Sequence, residues 1–223
     1  MNKNKLRIFR IAWAITLHLV LTQGLGATTI SNLGSITIPA SGTEGVANPY
    51  PSAILVSGLT GSITDVNVTI SGLSHTFPDD IDVLLVGPGS QKILLMSDAG
   101  GPHDVTNINL TFDDAASLLL PNGDALTSGT FKPTNYTGNG GPNDLFPSPA
   151  PVGPYGSLLS TFNGTNPNGT WSLFVFDDEG GDVGRITNGW SLDISTAVPE
   201  PSTLLLLGAG FVALAARTRK KGR

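Results

Sequence analysis

In the central part of the chain, hydrophobic and polar positions alternate over short runs, which Gly and Pro interrupt repeatedly. A period of two is the pattern of a β-strand with one buried face. Val66, Val68 and Ile70 follow this pattern, whereas residues 81–86 are apolar on both faces, as in a central strand. About eight short strands with this spacing favour a β-sandwich or barrel. The other predicted strands lie at Ile36–Ile38, Ile54–Val56, Ile93–Met96, Ile108–Phe112, Trp171–Phe176, Ile186 and Trp190–Ile194.

One long stretch, residues 113–157, departs from this rhythm. It is rich in Pro, Gly, Asn and Ser, and its apolar pieces are brief, such as Leu118–Leu120. Loops of this length in a compact domain are usually functional or disordered. The strands beyond the stretch are needed to complete the sandwich. We therefore predict a single domain, residues 27–197, with a long surface excursion at 113–157.

The aromatic residues fall into two groups. Trp171 and Trp190 alternate in step with aliphatic residues of their predicted strands, which favours packing in the core over stacking on a carbohydrate. Tyr136 and Tyr155 lie in the excursion. They are therefore the better candidates for exposed aromatic side chains.

The charge is distributed unevenly along the chain. Of the 12 Lys and Arg residues, four lie in the first ten positions and five in the last seven. Between residues 27 and 198, three basic residues face sixteen Asp and Glu residues, a net charge of −13. Such a body would repel nucleic acid, whose binding needs a basic surface. Basic residues concentrated at the two tips indicate handling by a membrane instead.

The first 26 residues are interpreted as a signal peptide. Basic residues precede an apolar run, Ile11–Leu21, and small residues at 24–27 offer a cleavage site. The run is shorter than the roughly 20 residues that a membrane span needs. A permanent N-terminal anchor is the alternative. The chain contains no Cys, so an exported domain must be held together by its core alone.

The C-terminus combines Pro199, Glu200 and Pro201 with an apolar stretch, residues 203–216, and a basic end. This three-part order, over residues 198–223, resembles a PEP-CTERM sorting signal. The resemblance implies a bacterium with an exosortase that processes the tail, usually one that makes exopolysaccharide. It also implies a transient anchor in the inner membrane through a helix at 203–216, followed by display on the cell surface or in the extracellular matrix. A short tail anchor is the alternative.

A series of landmarks follows in order along the body. They are residues 63–70, His75, residues 80–85, Gly87 and Pro88, residues 162–164 and 168–173, Asp177 and Asp178, Gly184, and residues 189–192. With these landmarks, the body resembles the P domain (P/Homo B) of proprotein convertases and of bacterial subtilisin-like enzymes over roughly residues 30–196. The resemblance implies an eight-stranded jelly-roll sandwich without catalytic residues of its own, which in convertases stabilises the protease domain.

Catalysis is not indicated by the sequence. The chain has no subtilisin-like domain and no Gly-x-Ser-x-Gly motif, and we expect His75 to be a structural residue at the end of a strand. Assigning a serine endopeptidase activity to this chain from the family name alone would therefore be misleading. We expect an exported, non-catalytic binding or structural module that could partner a separate protease. A carbohydrate-binding or adhesive protein of the exopolysaccharide matrix is the alternative, and an enzyme is the third.

Two acidic clusters are candidates for a metal site, because Ca²⁺ takes six to eight oxygen ligands from loops of this kind. The chain has no EF-hand spacing, and a solvated acidic surface explains the clusters equally well. Two further acidic groups lie at residues 98–104 and 113–114. The candidate ligands are Asp79, Asp80 and Asp82 in the first cluster, and Asp177, Asp178 and Asp182 in the second.

Overall fold

The computed structural model describes residues 26–39, 42–136 and 144–197, together with Gly208 and Gly210. In this part of the chain, thirteen β-strands form two stacked sheets. Two short 3₁₀ turns are also present, Pro78–Asp80 and Leu159–Phe162. The strands are β1 Ala27–Asn32, β2 Ile36–Ile38, β3 Gly45–Val46, β4 Ser52–Val56, β5 Ser62–His75, β6 Ile81–Val86, β7 Lys92–Ser97, β8 Val105–Phe112, β9 Gly129–Phe131, β10 Thr134–Asn135, β11 Gly169–Asp177, β12 Gly184–Ile186 and β13 Trp190–Ala197.

The predicted all-β sandwich is confirmed. Eight of the described strands contain five residues or more, and the other five are edge or bridging pieces of two or three residues. Strand β1 was not predicted, because most of its side chains are exposed and leave little apolar alternation to detect. The predicted signal peptide, residues 1–26, lies outside the described residues except for Gly26.

The first sheet is built around β5, a strand of 14 residues. Along one edge of β5, β13 pairs with the first part and β12 with the last part, so that the order is β1-β13-β5-β12-β2. Along its other edge, β5 pairs with β8, which in turn pairs with β9 in parallel. Strand β5 therefore runs the full length of the sandwich and fixes the position of both its ends.

The second sheet has the order β10-β7-β6-β11, and β11 pairs on its far side with β4 near its start and with β3 near its end. The residues of β11 alternate strictly between two buried environments. Trp171, Leu173 and Val175 face the first sheet and join the core between the sheets. Phe174 and Phe176 face outward into a second apolar cluster.

The two tryptophans occupy the core, as predicted. Trp171 and Trp190 are 0% and 1% exposed. Each indole N–H has a partner, the carbonyl oxygen of Pro167 at 2.9 Å for Trp171 and the Ser52 hydroxyl at 3.0 Å for Trp190. Satisfying a buried indole N–H removes the cost of burying a polar group.

The predicted surface excursion, residues 113–157, differs from the expectation. It supplies β9 to the first sheet and β10 to the second, and Leu120, Leu126 and Phe131 enter the main core. Its later part lies over the outer face of the second sheet, where Phe146 and Ala150 pack on apolar residues of that face. An outer face that carries such residues must be covered, and this segment covers it.

Candidate functional site

The two acidic clusters meet at one end of the sandwich. Strands β6 and β11 are antiparallel, with Asp82 opposite Phe176 and Ile81 opposite Asp177. The chain therefore enters β6 where it leaves β11. The backbone N–H of Asp178 donates a 3.0 Å hydrogen bond to the carbonyl oxygen of Asp80. The register of this single strand pair brings residues almost a hundred positions apart into one site.

The inner part of the site lies between the two sheets. Asp177 is fully buried, and its Oδ2 lies 3.4 Å from Nε2 of His75. Neither carboxylate oxygen of Asp177 forms a hydrogen bond, and neither does that imidazole nitrogen. The other ring nitrogen, Nδ1, accepts a hydrogen bond from the N–H of Phe77 at 3.1 Å. His75 is thus a buried residue at the end of β5, as predicted, and it faces a carboxylate with unused acceptors.

Asp80 lies beside this pair and is itself almost completely buried. Burial, together with the negative charges of Asp177, Asp182 and Asp178, raises its pKa to about 7. Only the imidazole of His75 acts against these effects. Asp80 therefore holds a proton at pH values at which a solvent-exposed carboxyl would be ionised.

The outer part of the site lies beneath the segment that covers the second sheet. Asp82 is 3% exposed, and burial raises its pKa to about 8. Asp178 is half-buried, and burial together with the charges of Asp98 and Asp177 raises its pKa to about 6. The negative charge of Asp144, in the segment that covers the second sheet, also raises the pKa of Asp82 and of Asp178. Four carboxylates thus share one poorly solvated region.

Ser97, the last residue of β7, connects two of these carboxylates. Its hydroxyl oxygen lies 3.0 Å from Oδ2 of Asp98 and 2.9 Å from Oδ1 of Asp144. The amide of Asn135 donates to Oδ2 of Asp144 at 2.9 Å. Both oxygens of Asp144 are therefore oriented by neutral polar groups.

Asp79 and Asp182 occupy supporting positions. Oδ1 of Asp79 accepts a hydrogen bond from the N–H of Gly101 at 3.3 Å, and Oδ1 of Asp182 accepts one from the Thr76 hydroxyl at 2.8 Å. Both carboxylates hold loops together, although Asp182 also adds charge near Asp80. Of the six predicted ligands, the structure therefore gathers four.

Two members of the site, Asp98 and Asp144, were not among the predicted ligands. The acidic group around Asp98 is visible in the sequence, and its place after the β7 strand was a usable signal. Asp144 has no acidic neighbour in sequence and reaches the site only because its segment folds back over the second sheet. Among the residues the structure describes, no three Asp, Glu or His side chains already surround a common point as metal ligands would.

A cleft of about 560 Å³ adjoins the outer part of the site. Asp144 and Asn135 line one side of it, and the ring of Tyr155 lines another, together with the exposed side chains of Leu145 and Val152. Tyr155 is held by an edge-on contact with Phe146 at 5.5 Å between ring centroids and donates a hydrogen bond to Pro151. The cleft thus combines a fixed aromatic ring with a carboxylate and an amide.

The tail follows directly on the last strand of the body. Strand β13 ends at Ala197, and the motif residues Pro199, Glu200 and Pro201 lie outside the described residues, as does the predicted helix at 203–216 except for Gly208 and Gly210. No helix in the described part of the chain is long and apolar enough to span a bilayer.

Comparison with known families identifies the class of the tail. Residues 197–220 match the PEP-CTERM protein-sorting motif, which confirms the sorting signal predicted for the C-terminus. The motif implies that the chain is exported, undergoes membrane-associated sorting and is recognised by an exosortase-type processing enzyme. No curated protein matches the chain in sequence.

Two solved structures are similar to the body. One contains the serine protease of Aeromonas sobria with its chaperone and aligns with a TM-score of 0.37 and 16% identity. The other is the serine protease of Aeromonas sobria, with a TM-score of 0.35 and 15% identity. Each alignment covers 78% of this chain but 27% of the other, so the chain spans about a quarter of the length of these proteins.

Proposed function

We propose that residues 27–197 form an exported, P-domain-like binding or structural module, which the sorting segment anchors in the inner membrane before the body reaches the cell surface or the extracellular matrix. The observation that carries this proposal is the direct succession of the two parts. The body completes its last strand at Ala197, the residue at which the match to the sorting motif begins. The folded body is therefore the cargo of the sorting signal.

The environment of the histidines favours a non-catalytic role. His75 is buried, with Nδ1 occupied by a backbone N–H and Nε2 directed at Asp177. In the exposed His103, Nε2 lies 3.1 Å from the carbonyl oxygen of Gly123. A general base must reach a nucleophile and a substrate, whereas both ring nitrogens of the buried His75 face groups of the protein itself, an arrangement that favours a structural role.

The test of this role is a fluorophosphonate probe, which labels activated serine nucleophiles, combined with a mixed peptide library. The purified full chain should remain unlabelled and should cleave no peptide. Subtilisin added to a parallel sample should be labelled and should cleave peptides. Labelling of one specific serine, abolished when that serine is changed to Ala, would show that the protein is an enzyme.

We further propose that the acidic site binds Ca²⁺. The buried oxygens of Asp177, which form no hydrogen bond, fit this ion. So does the repulsion between Asp178 and each of Asp80 and Asp82, because the pKa values of all three carboxyls are raised. A divalent cation would neutralise this repulsion, and carboxylates together with backbone carbonyls are the ligands that Ca²⁺ prefers.

Thermal unfolding of the metal-free protein with and without millimolar Ca²⁺ tests the site. A ligand that binds only the folded state raises stability by RT ln(1 + [L]/Kd), so the melting temperature should rise with Ca²⁺ and less with Mg²⁺. The Asp82→Asn and Asp178→Asn variants should lose this response. Asp124→Asn, which changes an exposed carboxylate outside the site, should keep it. An equal response to both ions would indicate a solvated acidic surface without a specific site.

A carbohydrate-binding role is the second candidate, and the cleft beside Tyr155 is the observation that favours it. Sugars bind to sites that combine an aromatic ring with a few oriented polar groups, and Tyr155, Asp144 and Asn135 provide this combination. Retention of the protein on immobilised exopolysaccharide from an exosortase-bearing bacterium is the measurement. Tyr155→Ala should weaken retention, whereas Leu158→Ala, at an exposed site that does not line the cleft, should not. Equal retention of both variants would exclude the cleft as the carbohydrate-binding site.

A further inference from the structure

The chain leaves the body from a strand that is held on both sides. Strand β13 lies between β1 and β5, and its last residue, Ala197, is paired with Ser62 of β5. Only five residues, 198–202, separate this point from the apolar stretch of the sorting segment. Five residues span at most about 18 Å when fully extended. The folded body is therefore on a short tether.

The end of the sandwich from which the tail leaves is formed by three loops without any Asp, Glu, Lys, Arg or His. The side chain of Asn168 joins two of them, because its amide oxygen accepts from the N–H of Leu59 and its amide nitrogen donates to the Leu59 carbonyl. The third loop reaches the same end, where Pro88 lies against Gly169, the first residue of β11. This uncharged end consists of residues 57–61, 87–91 and 163–168.

The opposite end of the sandwich is rich in carboxylates. There β5 ends at His75, which is paired with Val105 of β8 on one side and with Gly184 of β12 on the other, so the loops that precede both strands lie at this end. At about 3.3 Å per residue, the 14 residues of β5 place the two ends about 40 Å apart. The carboxylates of this acidic end are Glu44, Asp79, Asp80, Asp98, Asp104, Asp178, Glu179 and Asp182.

We propose that, while the sorting segment is in the bilayer, the body stands on the lipid headgroups with the uncharged end down and the acidic end outward. This proposal rests on the proposed membrane anchor. A tether of about 18 Å excludes the inverted orientation, which would require the start of the tail to lie about 40 Å above the membrane. The acidic end, which also holds the proposed Ca²⁺ site, is thereby presented away from the membrane.

Charge disfavours the remaining alternative, in which the sandwich lies on its side. Anionic headgroups repel carboxylates within about 10 Å, the screening length in 0.1 M salt, and a body on its side brings the acidic end into that range. In the upright orientation, the carboxylates nearest the membrane are Asp65, Asp113, Asp114 and Asp193, the last of which is paired with Asn67 of β5. The first three are near one another, and all four lie outside the three loops of the uncharged end.

The experiment uses the absence of Cys from the chain to place a single fluorophore at each end. Ser57→Cys labels the uncharged end and Glu179→Cys the acidic end, and both positions are exposed. The full chain is reconstituted into vesicles of phosphatidylethanolamine and phosphatidylglycerol with an acceptor dye on the headgroups. Energy transfer to the membrane should be several-fold stronger from position 57 than from position 179.

A second variant separates the orientation from the anchor. Twenty Gly and Ser residues inserted after Ala197 give a flexible tether of about 27 Å average length, so the contrast between the two positions should largely disappear. Equal transfer from both positions of the chain without the insertion would overturn the proposed orientation and leave the anchor intact. Failure of that chain to float with the vesicles would overturn the anchor and the orientation together.

Discussion

Gly184 on β12 lies directly opposite His75 on β5, and a Cβ atom at residue 184 would be only 2.0 Å from Cδ2 of the imidazole. The carbonyl oxygen of Ser74 would be 2.6 Å away, and as part of the backbone it cannot rotate aside. The position of the His75 ring beside Asp177 therefore depends on a glycine that lies 109 residues after His75 in the sequence.

Gly184→Ala should destabilise the body by about 3 kcal/mol or more, at the upper end of the cost of overpacking, because both neighbours must move. Urea unfolding measures the loss. Gly123→Ala is the matched control, since a Cβ at that position meets no atom within 4 Å. Adding His75→Ala to Gly184→Ala should restore only part of the stability, because the Ser74 carbonyl remains. Wild-type stability of Gly184→Ala would show that the two strands are farther apart than described.

Trp171→Ala should cost about 3–5 kcal/mol, a large part of the roughly 5–15 kcal/mol that holds a domain of this size. The indole is fully buried and packs on Phe162 with a centroid distance of 4.7 Å. Trp171→Phe should lose less, because it keeps the ring in contact and gives up mainly the hydrogen bond to Pro167. Chemical unfolding of the two variants provides the comparison, and similar losses would mean that ring volume is unimportant there.

The metal-free body should become less stable as the pH rises from about 4 to about 8. Ordinary carboxyls titrate near pH 4, whereas burial and the charges of neighbouring carboxylates raise the pKa of Asp178, Asp80 and Asp82 to about 6, 7 and 8. In this interval the folded state holds protons that the unfolded chain has released, so the free energy of unfolding falls with increasing pH.

Melting temperatures between pH 4.5 and 8.5 test this dependence. Asp82→Asn should flatten the upper part of the profile, because it removes the carboxyl with the highest pKa. Asp124→Asn should leave the profile unchanged. Because Ca²⁺ competes with protons for these carboxylates, its stabilising effect should grow with pH. A melting temperature that rises steadily to pH 8 in the absence of metal would contradict the buried carboxyl cluster.

Deletion of the basic end, residues 217–223, should leave the protein exported but incorrectly sorted. Basic residues beyond an apolar segment hold that end on the cytoplasmic side of the membrane, where they fix the orientation of the segment. Fractionation of the native host and the size of the mature protein are the measurements. A variant in which Arg217 and Arg219 are changed to Lys keeps the charge and should be processed normally. Normal processing of the deletion would exclude a role for the basic end.

Local pattern in the sequence was sufficient for much of this protein. The alternation of Val66, Val68 and Ile70 predicted a strand, and the position of Trp171 and Trp190 in such alternation predicted the core. These predictions succeed because side chains alternate between the faces of any strand, whatever its partners. The sorting motif is likewise a contiguous signal, readable without a structure. The contribution of the predicted surface excursion, residues 113–157, to the core was not predicted, because its apolar pieces are too brief to show a period.

Only the tertiary structure decided which charges meet. The contact of Asp80 with Asp178 depends on the antiparallel register of β6 and β11, and the arrival of Asp144 depends on a segment that folds back over the second sheet. The separation of an acidic end from an uncharged end follows from the direction in which each strand runs. Sequence spacing does not contain these distances, because they are set by pairing between strands that are remote along the chain.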